Sequence, residues 1–234
     1  MTWIGAIYEF GSLFSYRIPD FSSQYALSSP LPGPSTIKLA LVATAIETKD
    51  VIYGEKVFGT IKNAKIKLLP PKRIALSNVL VKRLKAKKER KEKGFESTFG
   101  IRGYVHFAEP LKIYIETAIE SGKIGEEIEN LLRRIRRLGT SDSVVYCESV
   151  KKEIPPANAI EAVEALKKAE KNVLVIPVKD LNPDPAIKFE HINIYSKSKQ
   201  PKAKVFVSKF YTIPILDQKQ GKNWIVYEIG PRRN

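Results

Sequence analysis

The sequence predicts an α+β protein. About residues 1–153 form a ferredoxin-like part that carries a basic insertion near residues 70–100, and residues 154–234 form a smaller, strand-rich part. Three observations lead there. Strand-like and helix-like segments follow one another in β-α-β-β-α-β order up to residue 150. Closely spaced Lys and Arg from Lys72 to Lys93 interrupt that order. Beyond Pro155-Pro156, short strand-like segments dominate.

Thr2–Glu9 opens the chain as a strand, because Trp3, Ile4, Ile7 and Tyr8 suit a half-buried pleated surface. A serine- and aromatic-rich loop, Gly11–Leu31, follows; loops of this length inside a compact chain tend to carry function. Pro32-Gly33-Pro34-Ser35 starts a helix over Ile37–Thr48, with Ser35 or Thr36 available to cap it. That helix is apolar on nearly every side and is expected to be buried. Lys56–Leu69 reads as a second strand ended by Pro70-Pro71, and strands resume at Phe99–Phe107 and Leu111–Thr117. Ser121–Leu138 reads as an amphipathic helix, since Ile124, Ile128, Leu131, Ile135 and Leu138 step by four and three. Gly139 stands at its stop, and Val144–Val150 is the next strand. In the second part the pattern predicts a helix at Ala157–Lys171 and strands near Val173–Val178, Phe189–Tyr195, Lys204–Ile215 and Trp224–Ile229.

The charge balance points to an anionic partner. The chain has 40 Lys and Arg against 25 Asp and Glu, a formal net charge of +15 over 234 residues. Such an excess favours nucleic acid or an acidic membrane surface. The basic stretch lacks a matching apolar face, which argues against the membrane. The longest apolar run, near Leu39–Ala45, is far below the ~20 residues that span a bilayer. The first basic residue is Arg17, so no signal-peptide n-region is visible and a cytoplasmic location is expected. One cysteine, Cys147, and two histidines leave no basis for an internal disulfide or a structural zinc site. No metal and no cofactor are expected.

Four features can carry chemistry. Between Lys82 and Lys93 there are eight Lys or Arg and two Glu. This stretch reads as an arm that neutralises phosphates or as a solvated charged helix, with pairs such as Lys85–Glu89 and Lys88–Glu92. Arg102-Gly103-Tyr104-Val105 begins like the central-strand motif of RNA-recognition folds, although Val105 and His106 break the rest; an ordinary strand with a tight glycine is the alternative. The helix start with Ser35, Thr36 and Lys38 offers free N–H groups and a cation to an anion, or is simply capped. Arg133, Arg134, Arg136 and Arg137 crowd one helix end, where cations are favoured in any case. Catalytic arrangements are poor: His106 and His191 are the only histidines, and neither sits in a hydrolase or metalloprotease motif.

The order of these features resembles the Cas-five family of CRISPR-associated RAMP proteins, and within it the type I-A (Apern) form. The resemblance is carried by the aromatic loop Gly11–Leu31, by Pro32-Gly33-Pro34-Ser35-Thr36-Ile37-Lys38-Leu39-Ala40-Leu41, by the basic insertion, and by Leu138-Gly139-Thr140-Ser141-Asp142-Ser143. It implies an RRM-like RAMP domain with a basic β-hairpin thumb. It implies a subunit of the Cascade interference complex, gripping the 5′ handle of the crRNA and capping the backbone filament; one subtype of the family cleaves precursor RNA, but this chain lacks a clear Tyr-His-Lys set and reads as non-catalytic. The implied partners are the Cas-seven backbone subunit, the large subunit and other Cascade components, with target DNA engaged through the complex. Carried onto this chain, the handle lies near Tyr16, Arg17, Ser35, Thr36 and Lys38. The thumb presents Lys72, Arg73, Lys82, Arg83, Lys85, Lys87 and Lys88 to the RNA, beside Arg102 and Tyr104. Two other functions stay open: a metal-independent RAMP endoribonuclease processing pre-crRNA, and a general basic RNA-binding protein.

Overall fold

A computed structural model describes residues 2–21, 25–87, 94–117, 122–166, 172–193, 195–196, 201 and 203–230, with side chains in the second amphipathic helix described from residue 125 onward. In chain order the elements are β1 (Thr2–Phe10), β2 (Tyr25–Ala26), α1 (Pro34–Thr48), α2 (Val51–Ile61), β3 (Ile66–Leu69), β4 (Arg73–Ala86) and β5 (Phe95–Phe107). Then come β6 (Leu111–Thr117), α3 (Gly122–Arg134), β7 (Val145–Lys152), β8 (Ile160–Glu161), β9 (Val173–Leu181), β10 (Phe206–Gln220) and β11 (Trp224–Ile229).

Two sheets share one core. The first has the order β7-β1-β6-β3-β8. Its β1, β3, β6 and β7 are the four strands of a β-α-β-β-α-β unit, and the last strand of that unit lies beside the first, as a ferredoxin-like sheet requires. Ile4, Ala6 and Tyr8 of β1 point to the helices, and the Tyr8 hydroxyl donates to the Leu132 carbonyl of α3 at 2.7 Å. The second sheet has the order β2-β5-β4-β11-β10-β9. Here β4, which pairs with β5 on one side within the expected first part, pairs on its other side with β11 from the expected second part. Hydrogen bonding therefore crosses residue 153 and does not break there. The same holds for β8, which extends the first sheet through β3.

Several expected elements differ. Lys56–Leu69 is not one strand: α2 ends at Ile61 and β3 begins at Ile66. Val57, Phe58, Thr60 and Ile61 imitate a strand, but Gly54, Val57, Phe58 and Ile61 are buried at helical spacing and Asp50 accepts from the Tyr53 N–H at 2.7 Å as an N-cap. No helix occupies the described part of Ala157–Lys171; residues 157–166 run as a turn and β8, and residues 167–171 lie outside the described residues. Phe189–His191 is a single 3-10 turn rather than a strand. It follows Asp184 and Asn182, whose side chains accept from backbone N–H groups and bend the chain. Ser35 and Thr36 do not cap α1: Gly33 is the N-cap, without a side-chain hydrogen bond, and Pro34 opens the helix.

The long loop 11–31 is seated against β5. Phe14 bridges Val105, and its ring stacks among Phe10 and Phe107. The Leu138–Ser143 motif closes over the loop from the other side. Thr140 N–H donates to the Ser15 carbonyl at 2.9 Å, and the Ser143 hydroxyl accepts from the Ser15 N–H at 2.9 Å. Gly103 lets the loop approach, since a methyl there would stand 2.3 Å from the Ser28 nitrogen. Backbone cannot yield as a flexible side chain does, so Gly103→Ala is expected to destabilise by ~1–3 kcal/mol. A thermal melt lowered by several degrees checks this; an unchanged melt refutes the close packing.

Candidate nucleic-acid interface

The basic stretch resolves into a long hairpin. β4 and β5 pair in unbroken antiparallel register from Ile74↔Phe107 out to Ala86↔Phe95. At ~3.3 Å per residue, Lys85 lies about 40 Å along the strand from Arg73. The helix alternative for Val79–Lys93 is excluded up to Lys87, and Lys88 lies outside the described residues.

Strand alternation sorts the hairpin into two faces, because directly opposed residues share a side. The inner face begins at the core with Ile74, Leu76, Val105 and Phe107. It continues beyond the body of the protein as Leu80, Ile101, Lys82, Phe99, Leu84 and Phe95, where Leu80, Leu84, Phe95 and Phe99 are exposed; the basic arm thus does carry an apolar face, which the linear sequence hid because alternation sorts it from the cations only in the paired strands. Lys82 Nζ stands 6.0 Å from the centre of the Phe99 ring. The outer face carries Arg83 opposite Thr98, Lys85 opposite Glu96, Arg102 opposite Val79, and Tyr104 opposite Ser77. His106 follows, opposite Ala75. Lys82 is thus turned away from Arg83 and Lys85, which the sequence grouped with it.

The other expected residues fall in three places. Lys72 and Arg73 sit at the hairpin root. Their N–H groups donate to Glu109, and the Arg73 side chain pairs with Glu228 at 2.7 Å. Tyr16 and Arg17 lie on the loop beside β5: Tyr16 is half-buried against the core, and Arg17 is exposed in a bridge to Ser28. Ser35, Thr36 and Lys38 do not form an open anion site. Ser35 and Thr36 are buried, and Lys38 is 1% exposed. Lys38 Nζ donates to Asp180 at 2.8 Å and to the Lys62 carbonyl at 2.9 Å. Burial pulls its ammonium below the usual lysine range, and the Asp180 carboxylate works against that shift. Asp180 also accepts from Lys209 at 3.0 Å. The β9 segment that supplies Asp180 covers the helix start, which closes it to a polyanion.

The RNA-recognition reading also changes. Arg102–Val105 lies on β5 of the hairpin sheet, whereas the inner strands of the ferredoxin-like sheet include β1 and β6. The expected helix end at Leu138 is not reached: α3 stops at Arg134, so only Arg133 and Arg134 lie on it, while Arg136 and Arg137 follow it and Arg137 bridges Val144; all four are exposed, and Arg133 donates to the Val150 carbonyl at 2.9 Å. Trp224 was missed. It stands on β11 opposite Ser77, on the same outer face as Tyr104, and is half exposed. Only the pairing of β11 with β4 reveals that, since more than a hundred residues separate the two aromatics.

Among the described residues no cluster of three or more His, Cys, Asp or Glu is placed to hold a metal ion. No described helix is long and apolar enough to cross a membrane. What the outer face offers is a line of cations interrupted by aromatics, the chemistry that single-stranded nucleic acid requires.

No protein-family model matches the chain. Among solved structures, a CRISPR protein from Archaeoglobus fulgidus superposes with a TM-score of 0.49 at 17% identity, covering 99% of this chain and 93% of that one. A chain of a CRISPR RNA-guided surveillance complex superposes with a TM-score of 0.46 at 10% identity, covering 98% and 90%. The CRISPR-associated protein Cas5 of Archaeoglobus fulgidus is 44% identical over 240 residues, spanning 98% of this chain and 99% of that protein. With identity of that size over nearly the full length of both, the chain belongs to the Cas5 family of CRISPR-associated proteins.

Proposed function

We propose that this chain is a non-catalytic, RNA-binding subunit of a type I-A CRISPR interference complex inside the cell. It holds the 5′ handle of the crRNA and caps a filament of Cas-seven backbone subunits, next to the large subunit. Target DNA is engaged through the whole assembly. The observation that carries the reading is the outer face of the hairpin, where Arg83, Lys85 and Arg102 lie in line with Tyr104 on a member of the Cas5 family. Cations along such a line fix the backbone, and the aromatics meet the bases of an unpaired handle.

The test is purification of the assembled complex from cells. Bound RNA of one length with a common 5′ sequence is the expected result; heterogeneous RNA, with equal affinity for handle and scrambled oligonucleotides, favours a general RNA-binding protein instead. If about six phosphates are neutralised, log affinity falls against log salt with a slope of roughly −4. A slope near zero refutes the electrostatic grip.

One observation favours the second reading, an endoribonuclease. Tyr104 and His106 share the outer face of β5, so a hydroxyl and an imidazole stand two residues apart beside cations. The non-catalytic reading expects repeat RNA to stay intact with the purified protein in the absence of metal. Cleavage that is abolished by His106→Ala would reverse the assignment.

A further inference from the structure

We propose that Tyr104 and Trp224, on either side of Ser77, form a stacking site for an unpaired nucleobase on the outer face of the second sheet. The inference deepens the RNA-binding reading and rests on it.

The site is built by register. Ser77 of β4 is paired on one side with Tyr104 of β5 and on the other with Trp224 of β11. Neighbouring strands lie ~4.8 Å apart, so the two aromatic residues sit about 10 Å apart across a single small side chain. Their face is the solvent face of the sheet. The residues that alternate with them on β11, Ile225 and Tyr227, pack on the core.

Trp224 is also held in place. Gly221 lies across from it in the β10–β11 turn, with the Gly221 N–H donating to the Trp224 carbonyl at 2.9 Å. A methyl on Gly221 would stand 2.4 Å from the indole nitrogen. The indole therefore rests against a residue with no side chain, while 48% of Trp224 stays open to solvent. An aromatic surface fixed before its ligand arrives loses little freedom on binding.

The surroundings point to a nucleotide rather than to an apolar protein surface. Arg102 and His106 flank Tyr104 on the same face. Arg83 lies six residues beyond Ser77 on β4, about 20 Å toward the tip. The acidic neighbours at the root are Glu228, which pairs with Arg73, and Asp217 across from it on β10; Lys219, opposite Val226, stands between them and Trp224. A base on Tyr104 and Trp224 would thus place its strand on the cationic line. It would also make the second half of the chain a direct RNA contact, where the sequence pointed only to the first half.

The chain contains two tryptophans, Trp3 and Trp224. In a Trp3→Phe background the indole emission reports Trp224 alone. Titration of the full-length protein with an end-labelled oligoadenylate decamer is expected to quench that emission, with a midpoint matching the anisotropy of the label. Stacking on an aromatic side chain is strong enough that Trp224→Leu should weaken binding about tenfold or more. The salt slope should not change, because no phosphate contact is lost. Tyr104→Leu should act in the same direction. Both residues are on a solvent face, so a melt near that of the parent separates lost stacking from lost fold. Salt-dependent binding without quenching, or with affinity within twofold in both leucine variants, overturns the stacking site and leaves the RNA-binding reading standing. Loss of complex assembly with unchanged oligonucleotide affinity assigns the aromatics to a protein contact and also overturns it. No binding by the parent protein at any salt concentration overturns both.

Discussion

Charge reversal at Arg83 and Lys85 is expected to weaken binding of single-stranded RNA on the order of a hundredfold. Each side chain stands on the outer face of the hairpin, opposite Thr98 and Glu96, well away from the core. A hydrogen bond from a charged group to phosphate contributes about 1.5–3 kcal/mol, so two lost contacts suffice for that effect. The salt slope should flatten by about 0.7 for each single-strand phosphate no longer neutralised. The melting temperature should hardly move, since exposed substitutions of this kind stay within about half a kcal/mol. Lys82→Glu provides the internal comparison. Lys82 points to the other face, over Phe99, so the same reversal should cost less affinity. Equal effects at all three positions would show that net charge, not the outer face, governs binding. Unchanged affinity in the double variant would remove the hairpin from the RNA site.

The second large effect concerns stability. Asp180→Ala is expected to cost about 3–5 kcal/mol, because it leaves the Lys38 ammonium buried without its counter-charge. For a chain of this size that corresponds to a fall in melting temperature of about 10 °C. Lys38→Met should cost less, since Lys209 still pairs with Asp180 and the methionine stem fills a comparable space. The Lys38→Met, Asp180→Leu double variant should recover part of the loss, as apolar replacements of buried pairs commonly do. Additive losses would contradict coupling between the two. This pair ties α1 to β9 and so joins the two halves of the chain. Its removal is therefore expected to reduce RNA binding only as far as it unfolds the protein, which a melt and a binding curve on the same sample distinguish.

These two predictions mark how far the sequence could be read. The position of the basic arm is legible because its signal is local: a dense run of Lys and Arg between strand-like segments needs no distant partner to be recognised. Its conformation is not, since the residues leave a charged helix open and only the resemblance implies a hairpin. α3 is legible from a local signal too, through apolar residues stepping by three and four. The last part of α2 reads as strand because Val57, Phe58, Thr60 and Ile61 favour strands by propensity, while packing of one helical face against α1 and the Phe189 turn decides the outcome. The Asp50 cap was the signal that could have found it. The helix start was misread as a site because its exposure depends on β9, about 140 residues away. A lysine near the start of a helix looks the same in sequence whether it meets a phosphate or an aspartate.

The sequence alone determined the α+β plan, the ferredoxin-like order of the first part, the position of the basic insertion and the family. Each of these is written in local patterns or in linear order. Only the tertiary structure decided which cations face outward, that Lys38 is satisfied by Asp180, that the second half of the chain completes the hairpin sheet, and that Trp224 stands across Ser77 from Tyr104. The physical reason is register. A strand commits its side chains to alternating faces only when its partners are in place, so the sorting of Lys82 from Arg83, and the meeting of two distant aromatics, exist only in the paired sheet.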